Sequence, residues 1–222
     1  IRRQRQMCIR DRTYIIEVEN EPTKGYIRVV KTDALDGVPI AGVQFDIYDA
    51  SGNPAGGMTT DETGFALSSP LHKGRYTVRE HENPTGYVVE LIEIQAEVRS
   101  DETTDLSATN QPIQGRIQII KWDQLTKEAL AGAEFTITRI SGLPSHGGSQ
   151  DGEVAAVMTT DAEGKVISPM LTYGTYRVAE TKVPEHFADH SFSVDVTIDR
   201  ENMQTYTVEA ENEPTKGWIR LV

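Results

Sequence analysis

Apolar residues in this chain recur with period two, in short runs. Gly25-Tyr-Ile-Arg-Val-Val-Lys31 puts Ile27, Val29 and Lys31 on one side of an extended strand. Gly115-Arg-Ile-Gln-Ile-Ile-Lys121 does the same with Ile117, Ile119 and Lys121. Further runs at 43–49, 57–60, 64–68, 75–80, 90–98 and 105–110 follow the first, at 26–31. Turn signals such as Asp-Ala-Ser-Gly52 and Asp-Glu-Thr-Gly64 separate some of them, with Asp bonding its own backbone and Gly supplying positive φ. No segment sustains a 3.6-residue period. Seven short strands within about 90 residues predict an all-β chain of Ig-like sandwiches.

The pattern repeats. Ala41-Gly-Val-Gln-Phe-Asp-Ile47 returns as Ala131-Gly-Ala-Glu-Phe-Thr-Ile137, Met58-Thr-Thr-Asp61 as Met158-Thr-Thr-Asp161, and Gly74-Arg-Tyr-Thr-Val-Arg-Glu80 as Gly174-Thr-Tyr-Arg-Val-Ala-Glu180. The offset grows from 131 − 41 = 90 to 158 − 58 = 100, so the second copy carries a ten-residue insertion within Ile140–Val157. Two seven-stranded units are expected, at 25–114 and 115–216. Residues 13–24 match 205–216 and read as the last strand of a preceding unit. Residues 217–222 read as the first strand of a following one. Short junctions containing Pro22, Pro112 and Pro214 are expected to hold units end to end. Residues 1–12, with five arginines and one aspartate, match nothing else in the chain and are read as a non-native or disordered basic segment.

The charge of −12 over 222 residues argues against nucleic acid and anionic membranes as partners. No apolar run approaches the ~20 residues of a membrane-spanning helix. Cys8 is the only cysteine, so a disulfide framework is excluded.

Three polar side chains break the apolar faces in each unit. Lys31 and Lys121 end the first strand. Glu80 and Glu180 follow Tyr76/Val78 and Tyr176/Val178 at alternate positions, and Asn110 and Asn212 follow Leu106/Ala108 and Val208/Ala210. Strand parity therefore points one amine, one carboxyl and one carboxamide into each core, where an uncompensated charge is costly. An amine can attack a carboxamide carbonyl, giving a new amide and ammonia. The amine must be neutral, which burial favours. A carboxylic acid must polarise the carbonyl and move protons, and the core must hold the groups in contact. A buried salt bridge with a turn asparagine is the alternative for each set.

The motifs Gly-x-Ile-x-x-x-Lys, Gly-x-x-Phe, Thr-Thr-Asp-x-x-Gly, Gly-x-Tyr-x-Val-x-Glu, Pro-x-Gly-Tyr and Val-x-Asn together resemble the B-type repeats (Cna-B or SpaA-like, prealbumin-like fold) of Gram-positive surface adhesins and pilins. The resemblance covers nearly all of 13–222. It implies an intramolecular Lys–Asn isopeptide bond in each unit, Lys31–Asn110 assisted by Glu80 and Lys121–Asn212 assisted by Glu180. Asn20 matches the asparagine position without a partner lysine in this chain. The second unit departs at Pro184-Glu-His186-Phe187, where the first has Pro84-Thr-Gly86-Tyr87.

The expected role is a stalk segment of an extracellular, cell-wall-attached protein, touching neighbouring repeats, with no cofactor, no metal and no enzymatic turnover. A module binding a matrix protein or glycan is the alternative, and a Lys/Glu hydrolase would need an open cleft. His72, His81, His146, His186 and His190 have no ligand spacing. Trp122 and Trp218 fall on outward parity, where packing at unit junctions is expected. The Gly/Ser-rich stretch Ser145–Gly152 reads as a surface loop.

Overall fold

The computed structural model describes residues 23–144, 149–188 and 192–215. The segments 1–12 and 217–222, all but Thr23 and Lys24 of 13–24, and Asn20, His146, His190 and Trp218 lie outside the described residues.

The chain is all-β. The first unit runs through β1 (Lys24–Asp33), β2 (Gln44–Asp49), β3 (Pro54–Thr59), β4 (Phe65–Leu67), β5 (Leu71–His72), β6 (Gly74–Glu80), β7 (Glu93–Val98) and β8 (Thr103–Asn110). The second repeats the series as β9 (Gln114–Asp123), β10 (Glu134–Gly142), β11 (Val154–Thr159), β12 (Lys165–Ile167), β13 (Leu171–Thr172), β14 (Gly174–Lys182), β15 (Ser193–Ile198) and β16 (Thr205–Asn212). The eighth strand of each unit, β5 or β13, is missing from the sequence expectation. Two residues after a proline are too few to show a period.

Each unit has two four-stranded sheets. In one, β3-β2-β6-β7 are antiparallel neighbours, and β11-β10-β14-β15 repeat the order. In the other, β1 pairs antiparallel with β4 and β5 and parallel with β8, as β9 does with β12, β13 and β16. The first and last strands of a unit therefore lie side by side, pointing the same way. Eight residue pairs join β1 to β8, from Tyr26↔Thr103 to Asp33↔Asn110.

Alternation decides what is buried. Gly25, Ile27, Val29, Lys31 and Asp33 of β1 point inward while their neighbours are exposed or half-buried. Ile27, Val29, Phe45, Ile47, Val78 and Val98 fill the first core. Ile117, Ile119, Phe135, Ile137, Val178 and Ile198 fill the second. Burial of such side chains stabilises by about 1.5–3 kcal/mol each before chain entropy is counted. The threonine of the repeated Met-Thr-Thr-Asp motif ties the edge of the core: Thr60 Oγ1 donates to Ile40 O (2.8 Å) and accepts from Val43 N (2.9 Å). Four residues later, Gly64 adopts φ +74°, and a Cβ there would come within 2.5 Å of the carbonyl oxygen of Lys31.

The units meet around residues 86–89. Ile113 N donates to Gly86 O (2.9 Å), and Tyr173 N donates to Ile113 O (2.8 Å). Leu143 packs against the first core and Val88 against the second. Gly86, at φ +90°, leaves room for both Tyr173 and Leu143, which a Cβ would meet at 2.8 and 2.9 Å. Leu143 belongs to the inserted segment. Buried Arg139 anchors that segment at its base, donating to Asp151 Oδ1 (3.0 Å), to Ser149 O (2.8 Å) and to Leu143 O. Part of the insertion is thus an inter-unit contact rather than a free loop. Trp122 donates to Glu211 Oε1 on β16 of its own unit (2.7 Å).

Candidate functional site

The inward parity of β1, β6 and β8 brings Lys31, Glu80 and Asn110 into the first core, with 0, 3 and 2% of their surface exposed. Lys31 Nζ lies 3.4 Å from Glu80 Oε2 and 5.9 Å from the centre of the Phe45 ring. Asn110 stands opposite Asp33, two residues beyond Lys31 along the parallel ladder, so both side chains emerge on the same face.

The second unit builds the same arrangement from β9, β14 and β16. Lys121 Nζ lies 3.0 Å from Glu180 Oε2 and 5.8 Å from the Phe135 ring centre. Asn212 Nδ2 donates to that same carboxylate oxygen at 3.2 Å. One oxygen thus touches both the amine and the carboxamide.

Burial holds the ammonium forms of both lysines in disfavour. Desolvation pushes each below the ordinary lysine value, while the glutamate beside it, through charge and hydrogen bonding, pulls it part of the way back. The same burial strips polar atoms of partners. Among the described residues, the buried side-chain oxygens or nitrogens without a hydrogen bond are Glu80 Oε1, Asn110 Oδ1, Glu180 Oε1 and Asn212 Oδ1. Each such atom costs about 1–3 kcal/mol. All four belong to the two Lys–Glu–Asn sets, so the cost is concentrated where the chemistry is expected.

The motif glycine has a physical reason here. Lys31 N donates to Gly64 O (2.8 Å) and Lys121 N to Gly164 O (2.7 Å), and only glycine allows that approach at positive φ. The loop after β6 also matters. Asn83 Oδ1 accepts from Asn110 Nδ2 at 3.2 Å. In the second unit the position is Val183, and Asn212 Nδ2 reaches Ala188 O at 3.4 Å. Buried Tyr87, which pairs with Pro112 and hydrogen-bonds Asp33, corresponds to half-buried Phe187, which pairs with Pro214. Burial and Asp33 push the Tyr87 hydroxyl well above the usual tyrosine value.

Asn83 and Arg139 escape the sequence reading. Asn83 sits in a loop with no period, and Asn-Pro reads as an ordinary turn. Arg139 carried a signal, being in phase with Phe135 and Ile137 on the buried side of β10. Among the described residues, no group of three His, Cys, Asp or Glu side chains could hold a metal ion. No helix among them is long and apolar enough to cross a membrane.

The family model for the SpaA prealbumin-like fold domain matches twice, over 25–112 and 115–214. The chain belongs to the SpaA prealbumin-like fold family. The chain shares 34% identity over 57 residues with the trypsin-resistant surface T6 protein of Streptococcus pyogenes serotype M6, a stretch covering 26% of this chain and 11% of that protein. The Bacillus anthracis TIE protein superposes with a TM-score of 0.69 at 24% identity, over 86% of this chain and 34% of the other. A C-terminal fragment of the pilus adhesin SpaC from Lactobacillus rhamnosus GG superposes with a TM-score of 0.61 at 18% identity, over 90% of this chain and all of that fragment. These superpositions show the shared fold. The chain spans about a tenth of the T6 protein and a third of the TIE protein.

Proposed function

We propose that this chain is a load-bearing stalk segment of an extracellular, cell-wall-attached surface protein, and that each unit closes itself with one Lys–Asn isopeptide bond. The units run over 25–114 and 115–216, with 13–24 and 217–222 completing neighbouring repeats. The carrying observation is the pair of buried Lys–Glu–Asn clusters, each between parallel first and last strands and each with unpartnered glutamate and asparagine oxygens. Within the buried pair, the proton of Lys31 passes to Glu80, leaving a neutral amine beside a neutral acid. Nζ attacks Cγ of Asn110 while the acid protonates the carbonyl oxygen. Attack forms the C–Nζ bond; collapse of the tetrahedral intermediate then re-forms the carbonyl, returns its proton to Glu80 and breaks the C–Nδ2 bond. The proton lost by Nζ ends on Nδ2, ammonia leaves and Glu80 is regenerated. Lys121, Glu180 and Asn212 follow the same course. Each event happens once per unit, so there is no turnover.

Force entering at β1 crosses the bond and leaves after β8 without unfolding the sandwich. The bond closes a loop of 110 − 31 = 79 residues in the first unit and 212 − 121 = 91 in the second. By analogy with disulfides this contributes on the order of 4 kcal/mol through chain entropy.

The test is the intact mass of the folded chain, beside Glu80→Ala and Glu180→Ala. Two ammonias missing from the sequence mass, with one regained in each variant, is the expected result. The full sequence mass in folded protein would overturn the covalent reading. The second reading would then lead: a module for a matrix protein or glycan, seated in the largely apolar groove of about 680 Å³ lined by Val38, Ile40, Tyr87, Leu143 and Pro144.

A further inference from the structure

The two clusters differ in what holds the amide nitrogen that must leave. In the first unit that group is Asn83, whose orientation is fixed by its surroundings. Its Nδ2 donates to Pro84 O (3.1 Å) and Tyr87 O (2.9 Å), carbonyls that can only accept. Its Oδ1 therefore faces the other way, accepting from Glu90 N at 3.5 Å and from Asn110 Nδ2 at 3.2 Å. Because Oδ1 of Asn83 can only accept, Asn110 must present its nitrogen to it. The carbonyl oxygen of Asn110 is thereby turned away from Asn83, and it is one of the buried atoms left without a partner.

We propose that Asn83 orients the Asn110 carboxamide for crosslinking and acts as the acceptor for its departing nitrogen. The inference rests on the isopeptide reading above and adds a group to it. As Lys31 Nζ bonds to Cγ, Nδ2 gains a proton and becomes a stronger donor. Its hydrogen bond to Asn83 Oδ1 then becomes charge-assisted, and is stronger in the transition state than before attack. Ammonia leaves toward the 83–87 turn, on the half-buried side of the cluster. The second unit has Val183 at this place and relies on Glu180 Oε2 and the Ala188 carbonyl. Crosslinking there is independent of residue 83.

The experiment follows ammonia loss in the full chain after pulsed cell-free synthesis. Time-resolved intact mass is combined with peptide mapping, so that each unit is scored separately. Asn83→Leu, close in shape but without an acceptor, should slow crosslinking of the first unit about tenfold, the equivalent of one typical hydrogen bond, and leave the second unchanged. Asn83→Asp separates two roles. It keeps the acceptor facing Asn110 but loses both donations that brace the turn. Crosslinking restored to within about threefold of the parent rate, against the deficit in Asn83→Leu, supports the acceptor role. Equal slowing in both variants, or an unchanged rate in Asn83→Leu, overturns it. If neither unit of the parent chain ever loses ammonia, the isopeptide reading itself has failed. A second unit that crosslinks normally beside an unaffected first unit sinks only the role of Asn83.

Discussion

The two units share the same three inward side chains but surround them differently. In the first, Lys31 and Glu80 are 3.4 Å apart and the Asn110 nitrogen is turned to a loop residue, Asn83. In the second, Lys121 and Glu180 are 3.0 Å apart and the Asn212 nitrogen shares the glutamate oxygen. A buried tyrosine closes the loop side in the first unit and a half-buried phenylalanine in the second. The lesson is a division of labour. Strand parity sets the amine, the acid and the carboxamide, and it is repeated with little change. The loop after β6 or β14 sets how the carboxamide is held, and it differs between the units at a place tied to the sheet by a single bridge in each, Tyr87–Pro112 or Phe187–Pro214.

Because the two clusters sit in one chain, each serves as the control for the other. The largest separation comes from removing a reacting group. Lys31→Met leaves Glu80 buried and unpaired, at a cost of about 3–5 kcal/mol beyond the lost bond. Asn110→Ala keeps the ion pair and removes the crosslink, on the order of 4 kcal/mol, together with the hydrogen bond to Asn83. Calorimetry should show the first unit unfolding well before the second in both variants, and further ahead with Lys31→Met. Coincident transitions in Asn110→Ala would mean that no crosslink contributed.

A smaller break comes from the motif glycine. Gly64→Ala forces a Cβ into φ +74° and into the Lys31 carbonyl, which should cost about 1–3 kcal/mol in the first unit. Gly164→Ala, at φ +67° and 2.4 Å from the Lys121 carbonyl, should transfer the same loss to the second. Chemical denaturation followed through a unit-specific probe measures it, and equal loss in both units from either variant would contradict the assignment.

The finest distinction is in pH. Both lysines are held below their ordinary value by desolvation, so the neutral amine appears at lower pH than in a free lysine. Crosslinking rate should rise with pH as the amine loses its proton. It should fall again when the pair no longer keeps one proton for the carbonyl. In both units the glutamate beside the lysine opposes desolvation without cancelling it, so both plateaus should lie below the range of a free lysine. Rates from pulsed synthesis across a pH series would show this, and a rise only in the range of a free lysine would rule out this account of the two environments.

Much of this was legible in the chain. Period-two alternation gave the strands and put Lys31, Glu80 and Asn110 on inward faces, because a side-chain period of two leaves no other choice. Alternation says nothing of which strands are neighbours, so the parallel pairing of β1 with β8 came only from the structure. Leu71–His72 was too short to register. Asn83 was silent because its hydrogen bonds are made by a turn, where sequence offers residue type without phase. Arg139 was the opposite case: its phase with Phe135 and Ile137 was visible, but what it held was not.

The parallel pairing has a consequence for how a string of such units would stretch. Lys31 and Asn110 lie toward the same end of β1 and β8, next to the exit into β9. With the bond made, the covalent path under tension runs through residues 24–31, crosses to 110 and continues through 114. The remainder of the unit hangs beside that path as a side branch. Such a filament has almost no slack to release, and its compliance is that of a single extended strand per unit, however large the sandwich attached to it.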